Sequence, residues 1–251
     1  MFFLELGSNV SQNKDIPIVY KGLIMGKNVV DKIDDQVRIN TILVSVSDKS
    51  GLEEFIPEMV ELNPNILILS TGGTYAKIKE IIGGKADQCL KQVSEYTGQP
   101  ETQGGLVKTL DFKIYLGILT ETYNDAHQED LKRTRALALD MVIVNLYPFS
   151  ETIARSGVTV EDARGNIDIG GPTMIRASAK NFIRVASVVD PSSYPDILTK
   201  LKSQNGALSL EDRFELSKKA FEHTAVYDRT IADFLAQRSL PQVQSCYKSG
   251  E

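Results

Sequence analysis

Histidine and cysteine are scarce in this chain. Its 251 residues carry two of each, at His127, His223, Cys89 and Cys246. The cysteines lie far apart and form no CxxC, which excludes a zinc ribbon and a dithiol redox motif. Four scattered residues of this kind do not make a transition-metal site, and no clustered Asp/Glu motif suggests Mg²⁺, so no metal and no cofactor are expected. Positive charge is also short: 28 Lys and Arg against 33 Asp and Glu leave a net charge of −5. That balance argues against a nucleic-acid surface, yet leaves room for a local basic pocket around one phosphate. No apolar run is long enough to span a bilayer, so no membrane partner is expected. The start, Met1-Phe2-Phe3-Leu4-Glu5, lacks the basic and apolar regions of a secretory leader, and a reducing cytoplasm is the expected compartment. A Walker A loop and a GxGxxG turn are missing too, which removes support for a nucleoside triphosphatase or a Rossmann dehydrogenase.

What is present is an alternation of short apolar runs with amphipathic segments. Thr41–Val46, Asn65–Leu69, Met141–Asn145 and Val185–Val189 read as buried strands from their β-branched content. Ser50-Gly51-Leu52-Glu53 has a capping-box pattern and opens an amphipathic stretch with Leu52, Phe55, Ile56, Met59 and Val60 at helical spacing. Pro57 falls inside it, where a kink or break is expected. Helices are also expected over 74–82, 174–180 and 208–234. Strands alternating with helices point to an α/β fold, a central and mostly parallel sheet flanked by helices with a helical C-terminal segment. The expected organisation is an N-terminal extension over 1–40, carrying one or two short strands, a main domain over 41–237 and a tail over 238–251.

In parallel α/β sheets ligands bind beyond the carboxyl ends of the strands. After the first long strand comes Ser45-Val46-Ser47-Asp48-Lys49-Ser50-Gly51, and after the second Ser70-Thr71-Gly72-Gly73-Thr74. Both put hydroxyls and small residues before a helix N-terminus, whose free N–H groups and dipole favour an anion. Lys49 adds a full charge, and together they suggest a phosphomonoester site. Three further segments stand out: Gly104-Gly105-Leu106-Val107-Lys108-Thr109-Leu110, Asn145-Leu146-Tyr147-Pro148-Phe149 and Asn166-Ile167-Asp168-Ile169-Gly170-Gly171-Pro172-Thr173. The last reads as a carboxylate held at the end of a buried segment. In isolation each is also compatible with an ordinary turn or cap.

These segments occur in order with Val93–Gly98, Ala179-Lys180-Asn181, Lys219-Ala220-Phe221 and His223–Asp228. The set resembles the inosine monophosphate (IMP) cyclohydrolase domain of the bifunctional purine-biosynthesis protein, over about residues 41 to 237. The resemblance stops where that protein's transformylase domain would start, as in a stand-alone cyclohydrolase or a single domain of one. It implies a methylglyoxal synthase-like fold and the closure of 5-formamidoimidazole-4-carboxamide ribotide to IMP and water. It further implies a small ribonucleotide substrate, a homodimer, and a separate transformylase as partner. The family's phosphate loops map onto Ser45, Ser47, Lys49, Thr71, Gly73 and Thr74. Its active-site residues map onto Lys108, Thr109, Asn145, Tyr147, Asp168, Gly170 and Lys180. On this basis Lys108 and Tyr147 would move protons and donate near the formyl oxygen. Asp168 would orient the carboxamide or accept its proton, and Lys180 would keep Asp168 ionised and help water leave.

The sequence departs from the family pattern at four positions. Leu106 stands where the family has an arginine that contributes to phosphate binding, Asp111-Phe112 replaces His-Pro, and Tyr115 replaces a later histidine. Lys113, Arg133 and Arg176 are candidates to supply the missing cation. Two other readings share the expected fold: methylglyoxal synthase, and a phospholigand sensor that binds without turnover.

Overall fold

The computed structural model describes residues 29–99, 108–248 and 250. The chain divides after Asp31, and the fold described is that of the unit beginning at Lys32. In chain order the strands are β1 (Gln36–Arg38), β2 (Thr41–Val46), β3 (Leu67–Ser70), β4 (Leu90–Gln92), β5 (Met141–Asn145), β6 (Ala186–Val188) and β7 (Ala207–Ser209). The helices are α1 (Leu52–Leu62), α2 (Gly72–Ile82), α3 (Ala86–Cys89), α4 (Val93–Thr97), α5 (Phe112–Leu119), α6 (Asp125–Thr134), α7 (Phe149–Ile153), α8 (Val160–Gly165), α9 (Gly170–Lys180), α10 (Tyr194–Ser203), α11 (Leu210–Ala236) and α12 (Leu240–Gln244).

Side chains on a strand alternate between faces, and here the alternation sorts the core into two layers. Ile42, Val44 and Val46 of β2 join Ile68, Met141 and Ile143 in a layer with Phe55 and Ile56 of α1, Ile78 of α2 and Ile197 of α10. Leu43, Leu69, Val142 and Val144 face the other way, onto Ile114 of α5, Met174 and Ile175 of α9 and Ala220 of α11. With both faces covered, the strands are apolar throughout, as parallel strands must be. The five-stranded sheet has the order β4-β3-β2-β5-β6. All of its pairings are parallel, with Leu43 opposite Leu69 on one side and opposite Val142 on the other. The chain winds outward from β2 to β4, then crosses back to β5. The strand order therefore reverses between β2 and β5, which opens a crevice at their carboxyl ends.

The α/β class, the parallel sheet and the helical C-terminal segment agree with the sequence reading, and several boundaries differ. Ser50 forms no capping box. Its hydroxyl and amide both donate to Asp48, at 2.6 and 2.9 Å, and the N-cap of α1 is Gly51 in the left-handed region at φ 76°, where glycine has no steric cost. Helix α1 continues through Pro57, because its apolar stripe is anchored in the core on both sides of the proline. Helices α2 and α9 begin at Gly72 and Gly170, earlier than the periodicity predicts, because glycines carry no hydrophobic pattern to read. Residues 207–209 form β7, antiparallel to β1, and the long helix starts after it, where Ser209 and Asp212 make a capping box. Within the expected extension, β1 is a strand. The remainder of that segment up to residue 28, and the Gly104-Gly105 turn with Leu106, lie outside the described residues.

A buried arginine joins the β1 arm to the main layer. Arg213 of α11 is fully buried. Its guanidinium donates to the carbonyls of Asp34, Asp35, Phe182, Ile183 and Leu208 at 2.5 to 3.1 Å. Arg213→Met should leave these acceptors without their donor and cost at least about 3 kcal/mol, seen as a lower urea midpoint with an unchanged m-value. His223, also on α11, has a buried Nε2 without a hydrogen-bond partner, and burial pushes its pKa below the ordinary 6.5, against a weaker opposing pull from Asp190. The unfolded histidine takes up a proton near that value while the folded one resists. Stability should therefore decline as pH falls below 6.5. Urea titrations at neutral and mildly acidic pH should show this slope in the native protein and a weaker one in His223→Gln.

Candidate active site

The crevice between β2 and β5 opens into a cavity of about 530 Å³. The segments following β2, β3 and β5, the start of α9 and residues 108–110 line it. One end gathers hydroxyls, an ammonium and a helix N-terminus, groups that favour an anion. The Ser45 and Thr71 hydroxyls meet across β2 and β3 at 3.0 Å. Thr71 is the N-cap of α2 but makes no side-chain cap, since its hydroxyl is turned to Ser45. The first N–H groups of α2, at Gly72 and Gly73, have no intrahelical acceptor, and the positive end of the helix dipole faces the cavity with them. Ser47 lines the same end. The Lys49 ammonium is held over it by the Val46 and Ser47 carbonyls at 3.4 and 3.2 Å. Lys108 borders this end as well, its Nζ 3.2 Å from the point where a Cβ on Gly72 would sit.

Two residues read from the sequence as ligand contacts already have their polar atoms engaged. The Thr74 hydroxyl accepts from the Val46 amide at 3.1 Å and donates to the Val46 carbonyl at 3.0 Å. It staples α2 to the end of β2. The Asn145 Oδ1 accepts from the amides of Ser47 and Asp48 at 2.7 and 2.9 Å, and its Nδ2 donates to the Asp48 carbonyl at 2.8 Å. Both residues line the cavity, where they shape the anion loop.

At the other end stands Asp168, in the short turn between α8 and α9. Its Oδ1 accepts from the Gly171 amide at 2.9 Å, and its own amide donates to the Tyr227 hydroxyl at 2.8 Å. Burial pushes its carboxyl above the ordinary 3.8, partly offset by the Gly171 and Tyr147 amides that face it. A Cβ at Gly171 would come within 2.5 Å of the Asp168 Oδ2 and 2.6 Å of Leu146, so any other residue there would displace one or both side chains. A Cβ on Gly170 would likewise come within 2.7 Å of the hydroxyl of the buried Thr109. The Tyr147 ring is 58% exposed at the cavity mouth.

Lys180 does not join this group. It is the last, exposed residue of the 11-residue α9, whose first turn lines the cavity. At ~1.5 Å per residue it lies about 15 Å away along the axis, and it does not line the cavity. Neither Lys113, Arg133 nor Arg176 lines the cavity. Lys113 donates to the Tyr96 carbonyl, Arg133 pairs with Asp130, and Arg176 stacks over Phe221. Asp111 serves as the N-cap of α5, accepting from the Lys113 amide at 2.7 Å, a role that aspartate performs well.

Two tyrosines near Asp168 had no role in the sequence reading. Tyr227 is described above. Tyr115 of α5 has a buried hydroxyl without a partner, pushed up to about 12 by burial, with the Asp168 charge adding to it. Its polar neighbour Thr173 donates instead to the Ile169 carbonyl at 2.8 Å. Both tyrosines sit at apolar helix positions, where spacing signals only core.

Comparison with known proteins finds two family models that match successive segments of the chain. A family model described as MGS-like domain matches residues 51–173, and one described as AICARFT/IMPCHase bienzyme matches residues 178–250. The bifunctional purine biosynthesis protein PurH of Neisseria gonorrhoeae is 46% identical over 201 residues, covering 80% of this chain and 37% of PurH. PurH of Ruminiclostridium cellulolyticum is 44% identical over 197 residues, with 78% and 37% covered. The chain thus spans little more than a third of the length of these relatives. The crystal structure of ForH superimposes with a TM-score of 0.68 at 28% identity, covering 78% of this chain and 97% of that one.

The anion end yields a direct test. Lys49→Met should weaken binding of ribose 5-phosphate by about tenfold or more and flatten its dependence on salt, measured by titration calorimetry at two ionic strengths.

Proposed function

The chain corresponds to the IMP-cyclohydrolase, MGS-like region of the AICARFT/IMPCHase bienzyme family, and from that premise we propose that it closes a purine ring, converting 5-formamidoimidazole-4-carboxamide ribotide to IMP and water. The observation that carries the reading is a single cavity with a phosphate cradle at one end and a buried, amide-held carboxylate at the other. In this reading the ribose phosphate docks on Ser45, Ser47, Lys49, Thr71 and the first turn of α2. The imidazole then extends toward Asp168 and Tyr147.

The carboxamide nitrogen attacks the formyl carbon, forming the new C–N bond as the formyl C=O becomes a hydroxyl-bearing carbon. Asp168 receives the amide proton, and Tyr147 and Lys108 donate toward the oxygen. Loss of that hydroxyl as water, with the proton of the formylated nitrogen, leaves the C=N of the purine, while the former carboxamide nitrogen keeps its second proton. Both reacting groups belong to one molecule, so anchoring the phosphate and holding the two groups face to face supplies much of the acceleration. A buried carboxylate with a raised pKa is a better base than a free one. Thr109 and Gly170 shape the cavity beside it, and Lys180 has no part in this scheme. Neither His127 nor His223 lines the cavity, which disfavours the methylglyoxal synthase reading.

The substrate must come from a formyl transfer onto the neighbouring amine, which a separate transformylase would provide. A homodimer and a cytoplasmic setting complete the proposal. No helix among the described residues is long and apolar enough to cross a membrane.

The test is conversion of the formylated ribotide to IMP by metal-stripped protein, followed by ultraviolet absorbance. Rapid conversion is expected without added metal or nucleotide. IMP binding without conversion would instead identify a sensor. Lys108→Ala and Asp168→Asn should each lower kcat by about 10²–10³. The native kcat should rise with pH through an acid limb above the ordinary carboxylate value, as Asp168 ionises, and Asp168→Asn should lack that limb.

A further inference from the structure

The turn that carries Asp168 has little of its own to fix it. Ile169 beside it is 60% exposed, and the carboxylate's bond to the Gly171 amide spans only three residues. A bond within the turn moves with the turn, so it does not set the direction of the carboxylate relative to the rest of the cavity. Two groups outside the turn supply fixed points: the Tyr147 amide, two residues past β5, faces the carboxyl itself, and a side chain of α11 takes the backbone. Tyr227, 59 positions away on α11, brings its hydroxyl to the Asp168 amide at 2.8 Å. Its ring is 9% exposed and packs edge-on against Phe149, with centroids 6.2 Å apart. Phe234, two turns further along α11, meets the same Phe149 ring at 5.9 Å and 90°. Phe149 opens α7, two residues after Tyr147. One helix therefore grips both sides of the reaction end: the Tyr147 strand exit through Phe149, and the Asp168 turn through a hydroxyl. Helix α11 lies in the segment matched by the bienzyme model, while Asp168 lies in the MGS-like segment.

We propose that Tyr227 is a positioning residue for ring closure: its hydroxyl pins the Asp168 backbone to α11 and so aims the carboxylate at the substrate's carboxamide. The proposal rests on the cyclohydrolase reading for its kinetic consequence, and on geometry alone for the tether. Tyr227 touches no reacting atom. It acts through the backbone of the residue that does. Misplacement of a reacting group by about 1 Å can cost on the order of 10²-fold in rate, whereas the phosphate cradle at the far end of the cavity is untouched by this tether.

Tyr227→Phe removes the hydroxyl and keeps the ring on Phe149. The expected result is a kcat lowered by about tenfold to a hundredfold, a KM within about threefold of native, and a displaced acid limb in the pH dependence of kcat. Thr224→Val is the control. It deletes a buried hydroxyl of the same helix that donates to the Phe221 carbonyl, and it should leave kcat and the acid limb as they are. Hydrogen exchange at the Asp168 amide, followed by NMR, gives a readout independent of turnover. That amide should exchange faster in Tyr227→Phe while the amides of β2 and β5 keep their protection. Native kcat and acid limb in Tyr227→Phe, or an unchanged Asp168 exchange rate, overturns the proposal. If the native protein closes no ring, the functional reading fails by itself, and the exchange rate still decides whether the tether exists.

Discussion

The pairing of β2 with β5 is the constraint on which the rest of the molecule depends. These two central strands run parallel but leave the sheet in opposite winding directions, so their carboxyl ends cannot be covered by one connection. The gap is the cavity. Asn145, the last residue of β5, extends the pairing beyond the strands with its side chain, taking the amides of Ser47 and Asp48 and returning a bond to the Asp48 carbonyl. That amide group acts as one more rung of the ladder. It holds the loop after β2 open toward the crevice, and with it the placement of Ser47 and Lys49.

From this frame the polar residues of the cavity divide by what they have left to offer. Thr74 has its hydroxyl committed to backbone in both directions, and Asn145 commits its Oδ1 and one of its two Nδ2 donors there, so both rigidify the loop. Ser45 and Thr71 are paired with each other and can turn outward to an anion, while the uncapped first turn of α2 supplies amides and a dipole. Preorganised donors of this kind need not be reoriented when a ligand arrives, which is the physical basis of electrostatic catalysis and binding alike. At the other end burial and backbone amides compete over Asp168, and burial prevails.

The long C-terminal helix is more than a cover for one face of the sheet. Arg213 near its start gathers five carbonyls from the β1 arm, residues 182–183 and β7. Tyr227 and Phe234 further on reach the reaction end of the cavity. The segment matched by the bienzyme family and the MGS-like segment are thereby one mechanical unit.

The sequence by itself determined the strands, the parallel sheet and the polar loops at the strand ends. Apolar runs, glycines before helices and hydroxyls at strand ends are local patterns, and local patterns follow from side-chain periodicity and backbone sterics. The ordered motifs also carried the resemblance that placed Asp168, Tyr147 and Lys108 in one site. Only the tertiary structure decided which of those residues meet. Lys180 follows Asp168 closely in sequence but is carried away from the cavity by the rise of α9. Tyr227 is remote in sequence yet bonded to Asp168, because α11 folds back across the sheet. Thr74 and Asn145 line the cavity and also bond to backbone, and a hydroxyl or amide at a strand end has the same signature whether it faces a substrate or a neighbouring backbone. Which partner it takes depends on distances between segments, and these are set by packing that no local pattern records.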